Sequence, residues 1–456
     1  ICIFDRMEHK RFLYKHIDEL CEDIARAGVE LPVADSLDAL RQSLTLYKKT
    51  LSNRLIVHPM EGCDGNFDGS PGPMTLRRYD RFARGGAGLL WGEACAVNSE
   101  ARANPLQIWI NRTTLPAFRS MADNACAAAQ ESMDPGFKPY TVLQLTHSGR
   151  YSKSFMGAEA IVAVAENPVL DPFTNPQRRL ITDDELETLE DQYVEAARLA
   201  REAGFDAVDI KGCHRYLINE LLSAQTRPGK YGGSFENRTR FLLNIIDKTK
   251  AAIDIDIALR INAHDAIPAP YGWGCDAEGR PDLTEPKQLM KILESRGIRL
   301  VNISTGNPYY NPHIGRPADT GPYVPPEHPI ESAARMLGII REMKAAAPAV
   351  HVVGTGFSWF REYGAHIAAG CIEKGWFDLA GFGRQSFAYP DFAKDIILHG
   401  AMDRKKCCIA CTKCTELMRF GREAGCVIRD AVPYLGIWRE ATAGRTMMSK
   451  RIAIHL

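Results

Sequence analysis

The chain has 456 residues, 45% of them hydrophobic, enough to bury one large core or two moderate ones. Lys and Arg number 56, as do Asp and Glu, so the formal net charge is zero and no bulk field points to nucleic acid or a polyanionic surface. No run of eighteen apolar residues occurs, so nothing reads as a membrane-spanning helix.

The first residues, ICIFDRMEHKRF, mix charges early and lack an apolar stretch with a cleavage site. Thirteen cysteines are too few for a disulfide scaffold of this length. Most are scattered, which suits a reducing cytoplasm.

Residues 10 to 50 read as helical and polar. Leu13, Ile17, Leu20 and Ile24 recur at helical spacing and Gly28 follows as a stop signal. A second short helix is expected over Ser36–Leu46. Residues 1–45 are therefore read as a helical extension.

From Arg54 onward, short apolar runs alternate with amphipathic stretches. There are eight: RLIVHP, GAGLLWGE, YTVLQLTH, FDAVDIKG, DIALRIN, IRLVNIST, AVHVVGTG and FDLAGFGR. Each is short and uninterrupted, as strands buried on both faces are. Between them lie helical segments such as DELETLEDQYVEAARLAREAG and FENRTRFLLNIIDKTKAAID. Such alternation fits either an open doubly wound sheet or a (β/α)8 TIM barrel. The runs end in polar or glycine residues: Glu93, His147, Lys211, Asn262, Ser304, Gly356 and Gly383. That is the pattern of a barrel's catalytic face, so an α/β TIM barrel over residues 46–400 is expected.

The segment KKCCIACTKCTELMRFGREAGCVIRD follows, and residues 401–456 are read as a cysteine-rich segment with a tail. Cys408, Cys411, Cys414 and Cys426 are spaced x2, x2, x11. Four thiolates suit zinc, but zinc frameworks usually pair two separated C-x2-C units. Three cysteines in seven residues and one apart lean toward an iron–sulfur cluster. Cys407 is adjacent but out of register.

At QLTHSGRYS and AGFDAVDIKGCHRYLINELLSAQTRPGKYGGSFENRTRF the chain resembles the old yellow enzyme family of FMN-dependent TIM-barrel oxidoreductases. The likeness runs from about Leu46 to Ile397. It includes NRLIVHPMEG as the first strand and its loop, and YDRFARGGAGLLWGEA leading through the second strand. With the cysteine quartet it is similar to the branch of 2,4-dienoyl-CoA reductase, trimethylamine dehydrogenase and the bile-acid-inducible flavin oxidoreductases. That resemblance implies FMN and one 4Fe-4S cluster held by Cys408, Cys411, Cys414 and Cys426.

The resemblance places Gln144 at the flavin's pyrimidine edge, where an amide both donates and accepts. It places Arg260 near N1/O2, with a salt bridge to Glu93 as the structural alternative. Pro59, Met60 and Glu61 are expected against the ring, and Ala94 where a small residue lets it approach. Gly356, Gly383 and Arg384 are expected at the phosphate.

Where the family commonly offers His-x-x-His or His-x-x-Asn to a substrate carbonyl, this chain reads Lys211-Gly-Cys-His214. Lysine is a point-charge donor suited to a carboxylate or thioester oxygen, or else a partner for Asp209. Tyr151 and Tyr216 both match proton-donor positions in relatives, with Tyr151 preferred. Tyr310 is a further candidate for the pocket wall, His147 for orienting a neighbour, and Cys63 for ordinary packing.

The implied function is reduction of the C=C bond of an α,β-unsaturated carbonyl compound (enoate, enone or enoyl thioester), an ene-reductase reaction. An amine dehydrogenase and an electron-transfer subunit are the alternatives. No G-x-G-x-x-G follows a strand, so electrons are expected from NAD(P)H directly or from a partner flavoprotein, unless the chain is cut from a longer one. A homo-oligomer is compatible with this reading.

Overall fold

The computed structural model describes residues 11–155, 157–320 and 323–453. Residues 1–10 of the expected extension and 454–456 of the expected tail lie outside the described residues.

Eight parallel strands close into a barrel. They are β1 (Leu55–Val57), β2 (Leu89–Ala96), β3 (Tyr140–Thr146), β4 (Ala207–Ile210), β5 (Asp256–His264), β6 (Leu300–Thr305), β7 (His351–Gly354) and β8 (Leu379–Phe382). They pair in chain order, and β8 closes on β1 through Ala380–Leu55, Gly381–Ile56 and Phe382–Val57. These are the eight apolar runs of the sequence, and the expected TIM barrel is the fold. Their continuous burial follows from having the barrel core on one side and helices on the other.

The helices form where the sequence caps them. Helices α1 (Ile17–Ala27) and α2 (Pro73–Arg84) precede α3 (Asp183–Glu202), which starts with a capping box. Thr182 Oγ1 accepts from Glu185 N at 3.2 Å, and Glu185 Oε2 accepts from Thr182 N at 2.8 Å. Its buried face carries Leu186, Leu189, Tyr193, Ala196 and Ala200, at helical spacing.

The N-terminal region departs from expectation twice. Helix α1 begins at Ile17, and Leu13 lies ahead of it with 76% of its surface exposed. Gly28 ends α1 in the left-handed conformation at φ 63°, as a C-cap glycine does. Only Asp38–Arg41 is helical in the second stretch, and Leu44–Leu46 pairs antiparallel with Lys49–Leu51 as a hairpin. The L-T-L and K-T-L alternation has period two, which aims Leu44, Leu46 and Leu51 inward. They pack on Ile56, Leu89, Trp91, Val142, Ala258 and Leu300, sealing the bottom of the barrel. Each buried leucine contributes about 1.5–3 kcal/mol.

Helices α4 (Lys413–Arg419) and α5 (Ala431–Ala453) follow the barrel. Arg77 of α2 forks onto Asp430 through Nη1 at 2.7 Å and Nη2 at 2.9 Å, and Arg81 reaches the same carboxylate. Leu417, Ala424, Val427 and Tyr434 form a small separate core beneath the segment. The cysteine-rich stretch is thereby pinned beside the barrel mouth. Among the described residues, no helix is long and apolar enough to cross a membrane.

Candidate active site

A cavity of about 200 Å³ opens at the C-terminal ends of the strands. Its walls include Pro59, Met60, Glu61, Gln144, Lys211, His214, Tyr216, Arg260, Gly356, Gly383 and Arg384. Residues far apart in the chain meet here because parallel barrel strands end on one face.

The floor is held by Asp209 of β4. Its carboxylate accepts from Gln144 Nε2 at 2.6 Å, Trp91 Nε1 at 2.8 Å and the Arg260 backbone N–H at 2.6 Å. Burial pushes this carboxyl up to about 6 against those hydrogen bonds. Asp209 therefore orients Gln144, leaving its carbonyl oxygen and second N–H for a ligand.

The Arg260–Glu93 bridge does not form. Glu93 is taken by Arg78 and the Gly62 N–H, and Arg78 also grips Asp64. The first-strand loop is bent around this buried guanidinium. Arg260 Nε and Arg384 Nη1 are buried without a protein partner.

Lys211 does not pair with Asp209. Its Nζ lies 3.5 Å from Glu61 Oε1 and 3.8 Å from the centre of the Tyr216 ring. Tyr216 OH donates to Glu61 Oε1 at 3.3 Å and meets Tyr309 OH at 2.9 Å. Burial and Glu61 hold the Tyr216 phenol well above its usual range. Tyr309, rather than Tyr310, lines the cavity, while Tyr310 packs against Phe173 at 5.5 Å.

Tyr151 sits one layer back. Its ring stacks on Tyr309 at 3.9 Å and its hydroxyl accepts from Asn307 Nδ2 at 2.8 Å. Burial pushes that phenol up to about 12. Of the two predicted tyrosines, Tyr216 is the one that lines the cavity.

His214 has φ 63°, and its Nε2 is 3.2 Å from Ser304 Oγ. Burial, then Arg260 and Lys211, holds its imidazole well below the usual range, so it is neutral at pH 7. His147 is also neutral, pushed down to about 3 by burial, and its Nδ1 accepts from Gly149 N at 3.0 Å. Ala94 lies within β2, in register with Gln144 of β3, and is not among the residues that line the cavity. Cys63 is buried and accepts from Asn104 Nδ2 at 3.4 Å.

Gly356 sits at φ 106°, and a Cβ there would meet the Met336 methyl at 1.9 Å. Gly383 precedes the short helix that Arg384 starts.

Other wall residues carry no signal in the sequence, among them three that are basic. His58 is held by Asn302 Nδ2 at 3.3 Å and Thr355 Oγ1 at 3.4 Å. Arg316 comes from the loop after β6 and Arg419 from α4. Burial, then the charges of Arg384 and Arg419, push Arg316 down to about 9.

Cys408, Cys411, Cys414 and Cys426 surround a smaller adjoining cavity with Arg384 and Phe387. All described cysteines are free. Backbone N–H groups point at two of the four sulfurs: Ala410 N to Cys408 Sγ at 3.4 Å, and Arg429 N to Cys426 Sγ at 3.3 Å. Ala410 and Thr412 both have positive φ, 54° and 63°, so the loop is wound against its residues' preference. Among the described residues, no three side chains converge to hold a single metal ion. Cys407 turns away, toward Asp403 O at 3.4 Å.

The sequence pattern of the NADH:flavin oxidoreductase / NADH oxidase family matches residues 40–277 of the 456. An NADH oxidase of Thermoanaerobacter brockii is 33% identical over 262 residues, which is 56% of this chain and 37% of that protein. A dimethylamine dehydrogenase of Hyphomicrobium sp. is 30% identical over 425 residues, 89% of this chain and 50% of that protein. These alignments span half or less of either relative's length. A solved 2-naphthoyl-CoA reductase complex shares the fold, with a TM-score of 0.70 at 19% identity over 88% of this chain and 58% of that one.

Proposed function

The chain belongs to the NADH:flavin oxidoreductase / NADH oxidase family, and from that premise we propose that it is an FMN-dependent ene-reductase. Its substrate would be an α,β-unsaturated carbonyl compound, with electrons from NAD(P)H or a partner flavoprotein.

The residues present fit a flavin. Arg260 Nε and Arg384 Nη1 are buried donors without a protein partner, and an anionic ligand satisfies both. Gln144 offers an amide edge oriented by Asp209. Gly356 and Gly383 line the end where Arg384 stands. FMN bound there supplies hydride from its N5 position.

The observation that carries the substrate reading is the placement of Lys211. Its ammonium lies over the Tyr216 ring, filling the aromatic face that would attract a substrate cation. A fixed positive charge beside neutral His214 instead stabilises negative charge developing on a carbonyl oxygen. Tyr216, its phenol held protonated by burial, would give its proton to the other carbon, and Tyr309 at 2.9 Å, which is 37% exposed, would pass it a replacement proton from solvent.

The four cysteines fit a polynuclear cluster better than zinc. A single ion needs its ligands to converge on one point, whereas in a 4Fe-4S cluster each iron takes its own thiolate. Thiols spaced around a cavity, with N–H groups aimed at two of them, suit the second case. The cluster would carry single electrons to or from the flavin.

Protein loaded with FMN and iron, then reduced without oxygen, tests this. Enones, enoates and enoyl thioesters are each mixed with it, and the flavin absorbance is followed. Reoxidation by at least one class is expected, and none by any class sinks the reading. A second reading, amine oxidation, is favoured by the long alignment with dimethylamine dehydrogenase. It predicts bleaching of the oxidised flavin by dimethylamine.

A further inference from the structure

Glu61 is the one carboxylate that lines the cavity, and the chemistry above gives it no step. Lys211 Nζ at 3.5 Å and Tyr216 OH at 3.3 Å both donate to its Oε1. Both contacts are longer than the ~2.7–2.9 Å of a tight charge-assisted bond. Among the described residues, no donor reaches Oε2. The side chain is 13% exposed, so this carboxylate is sheltered from water yet open to the cavity.

A carboxylate so placed is a base. Beside it stand Lys211 and neutral His214, which stabilise negative charge on a carbonyl oxygen, and Tyr216, a protonated phenol. A base, an acid and oxyanion donors are the full requirement for moving a double bond along a carbonyl compound, and the flavin's electrons are not among them. The charge balance favours the step. When Glu61 takes a proton it loses its charge and its hold on Lys211, and the ammonium turns to the charge that appears on the substrate oxygen. The buried group keeps the same net charge throughout, so no ion is left unpaired.

We propose that the site also isomerises β,γ-unsaturated carbonyl compounds to their conjugated α,β isomers, with Glu61 as the base. Glu61 removes a proton from the α-carbon. The C–H electron pair forms the enolate double bond while the carbonyl pair moves to oxygen. The oxygen then re-forms the carbonyl, the double bond settles between the α- and β-carbons, and the γ-carbon takes a proton from Tyr216. Glu61 returns the first proton to Tyr216 across 3.3 Å. One C–H bond breaks, another forms, and nothing is oxidised or reduced. The proposal rests on the carbonyl pocket of the ene-reductase reading and not on its hydride step. It also makes that pocket a source of its own conjugated substrate.

Oxidised, FMN-loaded protein, with no electron donor, is mixed with 3-cyclohexen-1-one and with 3-butenoyl-CoA. The conjugated products are measured by ultraviolet absorbance and chromatography. At least one compound should isomerise about a hundredfold faster than in buffer. Isomerisation of neither overturns the proposal, and reoxidation of reduced flavin by enones then still decides ene reduction. Isomerisation with no such reoxidation sinks ene reduction and leaves the base in place. Glu61→Gln, compared per bound flavin, should be slower by about a hundredfold, and an unchanged rate assigns the base elsewhere. Glu61→Asp keeps a carboxylate and guards against a merely disturbed loop. It should exceed Glu61→Gln by about tenfold, and equal rates overturn Glu61 as the base.

Discussion

Lys211 keeps its ammonium 3.8 Å from the centre of the Tyr216 ring, while both side chains reach the same Glu61 oxygen. A cation, a phenol and a carboxylate are thus locked in one buried group, and its net charge governs what enters the cavity. Replacing Lys211 with Met keeps the stem and removes the charge. We expect kcat/KM for enoyl substrates to fall about a hundredfold. Stopped-flow reoxidation of the reduced flavin measures this, and a change under threefold would detach Lys211 from the carbonyl.

The phenols should separate by position. Tyr216→Phe removes the hydroxyl at the cavity wall and should slow reoxidation about a hundredfold or more. Tyr151→Phe removes a hydroxyl one layer back, bonded to Asn307, and should cost less than tenfold. The reverse ranking would return the donor role to Tyr151.

Cys414→Ser should abolish the broad absorbance near 400 nm that overlaps the flavin bands. Bound iron should fall from about four atoms per chain to near zero. Iron and sulfide assays on anaerobically purified protein check this. Zinc in stoichiometric amount, with no iron, would contradict the cluster.

Gly62→Ala tests the buried bracket under the first-strand loop. A Cβ there would lie 2.1 Å from Arg78 Nη1. That guanidinium is held by Asp64 and Glu93, so it cannot move aside without breaking buried ion pairs. A loss of about 3 kcal/mol follows, together with weaker flavin retention. Thermal melting and FMN content report both.

The buried histidines impose a pH dependence that one variant isolates. His147 takes up a proton near 6.5 when unfolded but only at about 3 when folded. Between those values the unfolded chain holds the extra proton. Stability therefore rises with pH across the window and is lost as pH falls from 6.5. His147→Gln takes up no such proton and keeps an acceptor for the Gly149 N–H. The stability advantage of the unmodified protein over the variant should shrink by about 1.4 kcal/mol per pH unit below 6. Parallel curves from pH 6.5 to 4.5 would remove the assignment.

Much of this was legible in the chain because it rests on local pattern. Eight apolar runs ending in polar residues make barrel strands whatever their partners, since burial on both faces demands that composition. Gly28 and the Thr182–Glu185 box act within one turn of helix, so they could be read directly. The cysteine quartet announced itself by spacing, and its members do meet around one cavity. The hairpin at Leu44–Leu51 is not legible in the sequence because the helical pattern before it overshadows its short alternation. Its leucines gain their purpose only from a barrel bottom that needs closing.

The amino-acid sequence by itself determined the barrel, the face that carries chemistry and the residue types that end each strand. Only the tertiary structure decided which groups pair there. Arg78 rather than Arg260 takes Glu93, Glu61 rather than Asp209 takes Lys211, and Tyr309 rather than Tyr310 reaches Tyr216. Arg316 and Arg419, about a hundred positions apart, line one cavity. The reason is physical: strand and helix periodicity act over a few residues, whereas an ion pair is selected by distance in space. That distance exists only once the barrel has closed and brought the loops of different strands together.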